Sequence, residues 1–390
     1  MCTQTSKADL IASWNSADYA WNMLKSLELE NFRNYGRLRL DFKMEAGLTY
    51  LIGDNGQGKT NLLEAIYMLA LGKSFRISDE ESLIKWSTDF GRVRGVFGGS
   101  SMEIFLGRPP QPRRVFKVNE VKSSAVNFVG RLRAVFFHPE DLNVLYLGPD
   151  LRRRYLDIMI LQKNRAYFTA LRKFKRLKEQ RNSLLWTIRE GRGSVADLDI
   201  WDEQIVREAV IIWKGRAEAL SFIAAHLTEK YESICGKKTD LRIGYLNNLD
   251  MGYEMIVSTK NLEEVYASEL MASQDRDIAS GHTQVGPHRD DMAIYLGGKP
   301  IMEHASRGEI RTILLALKLI EMDYFSEDGE QPILLLDDVF SELDHERQRY
   351  LLERVVNYQT FITTTKDSVV INQEKLLAGD FVEIVNGKII

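Results

Sequence analysis

The stretch GDNGQGKT at residues 53–60 constrains this chain more than any other. It fits G-x-x-x-x-G-K-[ST], in which glycines let the backbone curl until successive N–H groups point inward at phosphate oxygens. The helix that follows such a loop adds its positive N-terminal end. Gly53, Asp54, Asn55, Gly56, Gln57 and Gly58 are thus candidate nucleotide contacts. Lys59 suits the β- and γ-phosphates as a compact charge, and the Thr60 hydroxyl suits Mg²⁺. The flanks agree: Leu48-Thr-Tyr-Leu-Ile52 predicts a buried strand entering the loop, and residues 61–71 an amphipathic helix leaving it. The plainer reading, a glycine-rich turn before a helix, carries little weight in that context.

A phosphate loop needs a metal-positioning carboxylate on a neighbouring strand. Ile333-Leu-Leu-Leu-Asp-Asp338 supplies one: four apolar residues that fit a central parallel strand, then two acids at its C-terminal end, where open α/β sheets bind ligands. Asp337 would hold Mg²⁺ through its water shell, and Asp338 would orient or deprotonate the attacking water. A buried strand ending in an acidic turn is common by itself, but its long-range pairing with residues 53–60 is not. Ser341-Glu-Leu-Asp344 follows directly. Upstream lies Ala305-Ser-Arg-Gly-Glu-Ile-Arg-Thr312, where a Ser-x-Gly turn precedes a predicted helix over 310–322. Its N–H groups, helix dipole and Ser306 hydroxyl form a second anion-binding end. Alone, Ser-x-Gly-Glu is a helix cap; the order of all four motifs is far more specific.

Between these two sets of motifs the chain changes character. Alternating runs around an Asn-Tyr-Gly turn at 34–36 predict a hairpin. Runs at 92–97, 102–106, 114–118 and 132–137 read as a mixed sheet. From 151 to about 190, and again from about 199, apolar residues recur at helical spacing, which predicts two helices of some 35 residues in an antiparallel hairpin. Residues 151–192 carry 13 Lys/Arg against three acids, a net +10 on a chain of net −3. A charge run is often a solvated face, yet one this one-sided, interleaved with Tyr167, Phe168 and Phe174, favours contact with a phosphate backbone. Arg172, Lys173, Lys175 and Arg176 are its candidate DNA contacts. The α/β character returns from 286. The fold class expected is therefore an α/β phosphate-loop head of mixed sheets and helices, split in sequence by a helical insertion. Its parts are an extension at 1–22, a first half of the head at 23–148, a helical arm at 149–281 and a second half at 282–390.

Composition closes off other classes. With Cys2 and Cys235 as the only cysteines, a disulfide framework is excluded and a reducing cytoplasm is the natural setting. No apolar run approaches the roughly 20 residues of a membrane span. His138 and His288 each stand beside Pro, without a second ligand at metal spacing, and are read as turn or hydrogen-bonding histidines.

The motif order resembles the ABC-type ATPase heads, including the SMC proteins, and fits the RecF family of bacterial recombination and repair proteins more closely. The matching stretches are Leu29-Glu-Asn-Phe-Arg-Asn-Tyr35, residues 53–66, Gly72-Lys-Ser-Phe-Arg76, Phe137-His-Pro-Glu-Asp-Leu142, Gly286-Pro-His-Arg-Asp-Asp291 and residues 333–344. The resemblance implies an ATP-dependent DNA-binding protein with slow hydrolysis, whose two heads sandwich two ATP molecules as a homodimer. It implies that Ser306, Gly308 and Glu309 of each copy contact the γ-phosphate held by the other. It also implies recognition of gapped DNA or single-/double-stranded junctions, and cooperation with RecR and RecO in loading RecA. By position, Asn55 would touch the γ-phosphate, and Arg33 and Asn34 would lie beside the phosphates. Transporter heads usually place Glu at the water-activating position and His after the last strand. Asp338 and the threonines at 363–365 stand here instead, which predicts sluggish turnover. The signature reads Ser-Arg-Gly-Glu where Ser-Gln-Gly-Gln is the more familiar RecF form, and the segment 1–22 has no recognised counterpart. An SMC-like chromosome organiser would need coiled coils of hundreds of residues. An ABC transporter subunit would lack the basic insert. A degenerate site is disfavoured by intact Lys59, Thr60, Asp337 and Asp338.

Overall fold

The structure is a computed structural model that describes residues 23–43, 47–76, 79–110, 113–365 and 379–390. The extension expected at 1–22 lies outside the described residues. The chain divides into two units, one made of the described residues of Met1–Pro139 and Glu321–Ile390, the other of Glu140–Ile320.

The first unit holds two six-stranded sheets. One is antiparallel, in the order Tyr35–Asp41, Leu24–Phe32, Phe90–Phe97, Ser100–Gly107, Arg114–Val118, Val121–Ser123. The predicted hairpin is its first pair, with Phe32 opposite Tyr35. The second sheet runs Lys388–Ile389, Asp380–Val385, Leu48–Ile52, Thr360–Thr364, Ile333–Leu336, Ala134–Phe137. It is parallel except for the terminal Lys388–Ile389 strand. The single mixed sheet expected from 92–137 therefore resolves into two sheets. Ala134–Phe137 leaves its sequence neighbours to pair with Ile333–Leu336, since its four residues are all buried and cannot sit on a half-exposed antiparallel edge.

Lys59–Leu71, the helix that leaves the phosphate loop, packs between the sheets. Gly95 of the antiparallel sheet admits Leu69, whose Cδ1 would lie 2.6 Å from any added Cβ. On the other side the Tyr67 ring is 5.4 Å from that of Phe136. The expected amphipathic pattern is absent because a helix covered on both faces is apolar all round. Its fully buried Leu62, Leu63 and Ile66 contribute about 1.5–3 kcal/mol each over an exposed state.

The second unit is mainly helical. The first of the two long helices expected breaks in two, Pro149–Leu161 and Arg165–Arg189. Asn164 makes the break, its side chain accepting from the Tyr167 N–H at 2.9 Å as an N-cap. Asp199–Cys235 follows as one helix of 37 residues ending at left-handed Gly236. Ion pairs from Arg181 to Asp202 and from Lys173 to Glu208 run it antiparallel to Arg165–Arg189. The boundary expected at 282 also moves. Asp291–Leu296 pairs with Leu241–Leu246, and Asp290 is buried against Arg216, Trp213 and Tyr245, so the chain stays in this unit to Ile320.

Candidate active site

The phosphate loop stands at the C-terminal end of Leu48–Ile52, flanked by Thr360–Thr364 and Asp380–Val385. Gly53 is required by close approach, because a Cβ there would lie 2.4 Å from the Ile384 carbonyl oxygen. Gly58 is required by conformation. It is left-handed at φ +115°, and a Cβ would meet the Asn34 amide at 2.6 Å. Gly53→Ala is therefore expected to lower stability by about 1–3 kcal/mol and to weaken nucleotide binding as the loop is forced off the strand beside it. Thermal unfolding and a fluorescent-nucleotide titration check this. Unchanged values in both would show that the neighbouring strand does not set the loop.

Two chain segments brace the loop from outside. Asn34 donates to the Gln57 carbonyl at 3.0 Å and accepts from Asn61 at 2.9 Å. The Tyr35 hydroxyl donates to the Gly58 carbonyl at 2.9 Å, and burial holds that phenol well above its ordinary range. From the C-terminal hairpin, the Gly387 N–H donates to the Gln57 carbonyl at 3.1 Å and the Asn386 N–H to Gln57 Oε1 at 2.6 Å.

The loop opens on a cavity of about 370 Å³ lined by residues that include Asn55, Lys59, Thr60, Asp337, Asp338 and Arg76. Lys59 Nζ donates to the loop's own Gly53 and Asp54 carbonyls at 2.6 and 2.9 Å. Burial lowers its pKa, while Asp338, Asp337 and Asp54 pull it back up. Thr60 Oγ1 donates to Asp337 Oδ1 at 2.9 Å, across 277 positions of sequence, and Thr363 Oγ1 donates to the same oxygen at 2.9 Å. Asp338 takes a left-handed backbone at φ 50°, a conformation Asp tolerates, and its N–H donates to Thr363 Oγ1 at 2.9 Å. Burial raises the Asp338 carboxyl above its ordinary value, with the like charge of Asp337 adding to the rise.

Arg33 is placed differently from the expectation. Its guanidinium grips Glu64 with two bonds of 2.8 Å and reaches the Ser82 carbonyl at 3.0 Å, and it does not line the cavity. Glu64 explains why: this fully buried carboxylate on the loop's helix needs a counter-charge. Ser74 also donates to Glu64, at 2.5 Å, and Arg76 donates to Asn61 at 2.9 Å. The sequence predicts no role for Glu64, Ser74 or Arg76, and for Thr363 only that it stands near the position where transporter heads carry His. A signal for the first three is present, since Gly72-Lys-Ser-Phe-Arg76 and residues 53–66 are both among the stretches that resemble the RecF family.

Ser306, Gly308 and Glu309 stand in the second unit, at the start of Arg307–Ser326. The Ser306 N–H and hydroxyl both donate to Glu309 Oε2, at 2.7 and 2.8 Å, a capping box that depresses the Glu309 pKa. Of the basic-helix residues, Lys173 is paired with Glu208 at 3.1 Å and Arg172 lies 6.0 Å over the Phe168 ring, while Lys175 and Arg176 are exposed. His138 is stacked on Phe136 at 4.7 Å, and His288 Nε2 bonds the Thr283 carbonyl at 3.0 Å. Among the described residues no helix is long and apolar enough to cross a membrane.

A phosphate loop feeding a helix between two sheets, and a carboxylate pair on an adjacent parallel strand, define a phosphate-loop ATPase head of ABC/SMC type. The family described as RecF/RecN/SMC N terminal domain matches residues 23–384. The DNA replication and repair protein RecF of Bacillus cereus (strain AH820) is 35% identical over 372 residues, covering 94% of this chain and 98% of that protein, and its counterpart in Bacillus anthracis (strain CDC 684 / NRRL 3495) matches equally. A solved structure of the recombination mediator protein RecF with ATP, in the RecFOR pathway, superposes with a TM-score of 0.85 at 34% identity over 95% of this chain and 98% of that one. An Smc head bound to the C-terminal winged-helix domain of ScpA shares the fold alone, at TM-score 0.51 and 16% identity. The chain belongs to the RecF family.

Proposed function

We propose that the protein is an ATP-gated DNA-binding protein of recombinational repair, in which ATP joins two heads and slow hydrolysis releases them. The observation that carries this is the meeting of Thr60, Asp337 and Lys59 at one cavity beneath a loop built for phosphate. The solved RecF relative that contains ATP supports the choice of nucleotide. A hydroxyl and a carboxylate oxygen 2.9 Å apart form a hard, oxygen-only donor set, which suits Mg²⁺ better than a softer metal. Thr60 and, through water, Asp337 would hold that ion, which when bound offsets negative charge on the β- and γ-phosphates.

The chain's own groups then divide the work. The loop N–H groups and Lys59 bind and orient the phosphates, and Asn55, which lines the cavity, would touch the γ-phosphate. Asp338 holds the attacking water and takes its proton, a role open to it only while ionised. Ser306, Gly308 and Glu309 would meet the γ-phosphate held by a second copy of the chain. The DNA bound would be gapped or carry a single-/double-stranded junction, with RecR, RecO and RecA as the partners in RecA loading.

Sedimentation and DNA binding should be measured without nucleotide, with ADP, and with ATP in Asp338→Asn. Dimers and tight DNA binding are expected with ATP alone. Ser306→Arg should keep nucleotide binding by the monomer and form no ATP-dependent dimer. Equal DNA binding in all three states would remove ATP as the gate, and unaltered dimers of Ser306→Arg would remove the trans contact.

A further inference from the structure

The segment Gly286-Pro-His-Arg-Asp-Asp291 takes no part in the nucleotide site, yet it organises a charged surface of the second unit. Asp290 points inward, and Asp291 holds Arg152 with bonds of 2.6 and 2.8 Å. The Arg289 N–H closes a turn on the Gly286 carbonyl at 2.9 Å, leaving the Arg289 side chain exposed. Arg153 donates to the Asp290 carbonyl, which fixes a second guanidinium beside that turn. The His288 ring lies 5.8 Å from Phe174. Lys175 follows Phe174 directly, and Lys178 stands one helical turn beyond it, both toward the same cations. Burial and its cationic neighbours lower the Lys178 pKa, and His288 is brought down to about 4, so the ring is neutral at neutral pH. Asp150 on Arg153, Glu179 beside Lys178 and the buried Asp290 behind Arg153 are the acids that face this group.

The cations outnumber the carboxylates and repel one another, while the turn positions Arg289 and the Asp290 carbonyl positions Arg153 against that repulsion. An anion with several charged oxygens along a line would relieve it. The geometry points to a phosphate-binding surface formed by Lys175, Lys178 and Arg289, backed by Arg153, that grips the sugar–phosphate backbone of DNA. This rests on the reading above that the protein binds DNA, and it moves the principal contact off Lys173, whose charge is engaged by Glu208, and onto the face shared with Arg289. A nucleic acid fits better than an acidic protein, because protein interfaces are depleted in lysine and centre on aromatic anchors, whereas Phe174 here is buried.

The test compares Lys178→Gln/Arg289→Gln with Arg172→Gln/Arg176→Gln in the full chain, titrating gapped duplex from about 50 to 200 mM salt in the ATP state. The first pair should weaken binding about tenfold and shallow the slope of log K against log salt by about 1.8, or about 0.9 for each lost phosphate contact. The second pair should change both much less. Both sets lie at the surface, and matching unfolding midpoints exclude a folding defect. Wild-type binding with no effect of Lys178→Gln/Arg289→Gln overturns this surface while leaving the DNA reading intact. A loss of affinity with an unchanged slope overturns it too, as does a poly-glutamate peptide that binds as tightly and is lost in the same variant. Absence of DNA binding by the wild-type chain in every nucleotide state overturns both.

Discussion

Lys59→Arg is expected to lower ATP turnover by about 10²–10³-fold, the usual cost of displacing one well-placed donor from a developing oxyanion, while part of the nucleotide binding survives. The reason is spatial. Lys59 Nζ sits within 2.6 and 2.9 Å of two loop carbonyls, so the ammonium occupies the middle of the loop as a point charge. A planar guanidinium carries the same charge but cannot enter that ring of carbonyls, and would lie across the mouth of the cavity. The backbone N–H groups remain to hold phosphate, which is why binding is weakened rather than lost. Steady-state phosphate release and a parallel equilibrium titration separate the two effects. Turnover at the wild-type rate would remove Lys59 from the chemistry.

The second large effect is structural. Arg216→Met should destabilise the second unit by about 3–5 kcal/mol, because it leaves buried carboxylates without their counter-charge. Arg216 pairs with Asp157 at 2.9 Å and Asp290 at 3.3 Å and donates to the Pro287 carbonyl. For a unit of this size that is a fall of roughly 10 °C in unfolding midpoint. The pH dependence has a defined sign. Burial pushes the Asp290 carboxyl up to about 6, against the opposing pull of Arg216, Tyr245 and Trp213. A folded-state pKa above the unfolded value gives a stability contribution that is present below the unfolded pKa of 3.8 and lost as pH rises through about 6. Without Arg216 the carboxyl is easier still to protonate, so the variant should be least damaged near pH 5 and most damaged near pH 8. Melting curves across that range check it, and a pH-independent loss would mean that Asp290 is not the group left exposed.

How far the fold can be read in the sequence depends on the range of the interactions that make it. Residues 53–60 and the acids after Ile333–Leu336 stand out in the sequence because phosphate chemistry fixes their types and spacing locally, and in the structure the Thr60 hydroxyl donates to Asp337. What was not legible depended on distant partners. Nothing in Ala134–Phe137 says that it will pair with Ile333–Leu336 instead of with the strands just before it. Arg33 was placed beside the phosphates by resemblance, but its partner is decided by Glu64, a carboxylate whose burial no local pattern announces. The expected continuous helix from 151 failed at Asn164, where a three-residue break keeps the apolar period nearly in phase and so hides in it. Gly286-Pro-His-Arg-Asp-Asp291 is polar and rich in turn formers, the signature of an exposed loop, yet its Asp290 is fully buried.

The neighbours of the phosphate-loop strand set a timetable for the molecule's making. Leu48–Ile52 lies between Thr360–Thr364 and Asp380–Val385, so roughly 300 residues must be added after it before either flank exists, on the order of 15–60 s at ribosomal speed. Through that interval the strand has two open edges, and one side of the apolar helix Lys59–Leu71 lacks most of the sheet that will cover it. ATP cannot serve as a template for this half while it emerges, because Asp337 and the Gln57 brace from residues 386 and 387 are still unmade. Competence to bind nucleotide thus arrives long after the loop that defines it has been made.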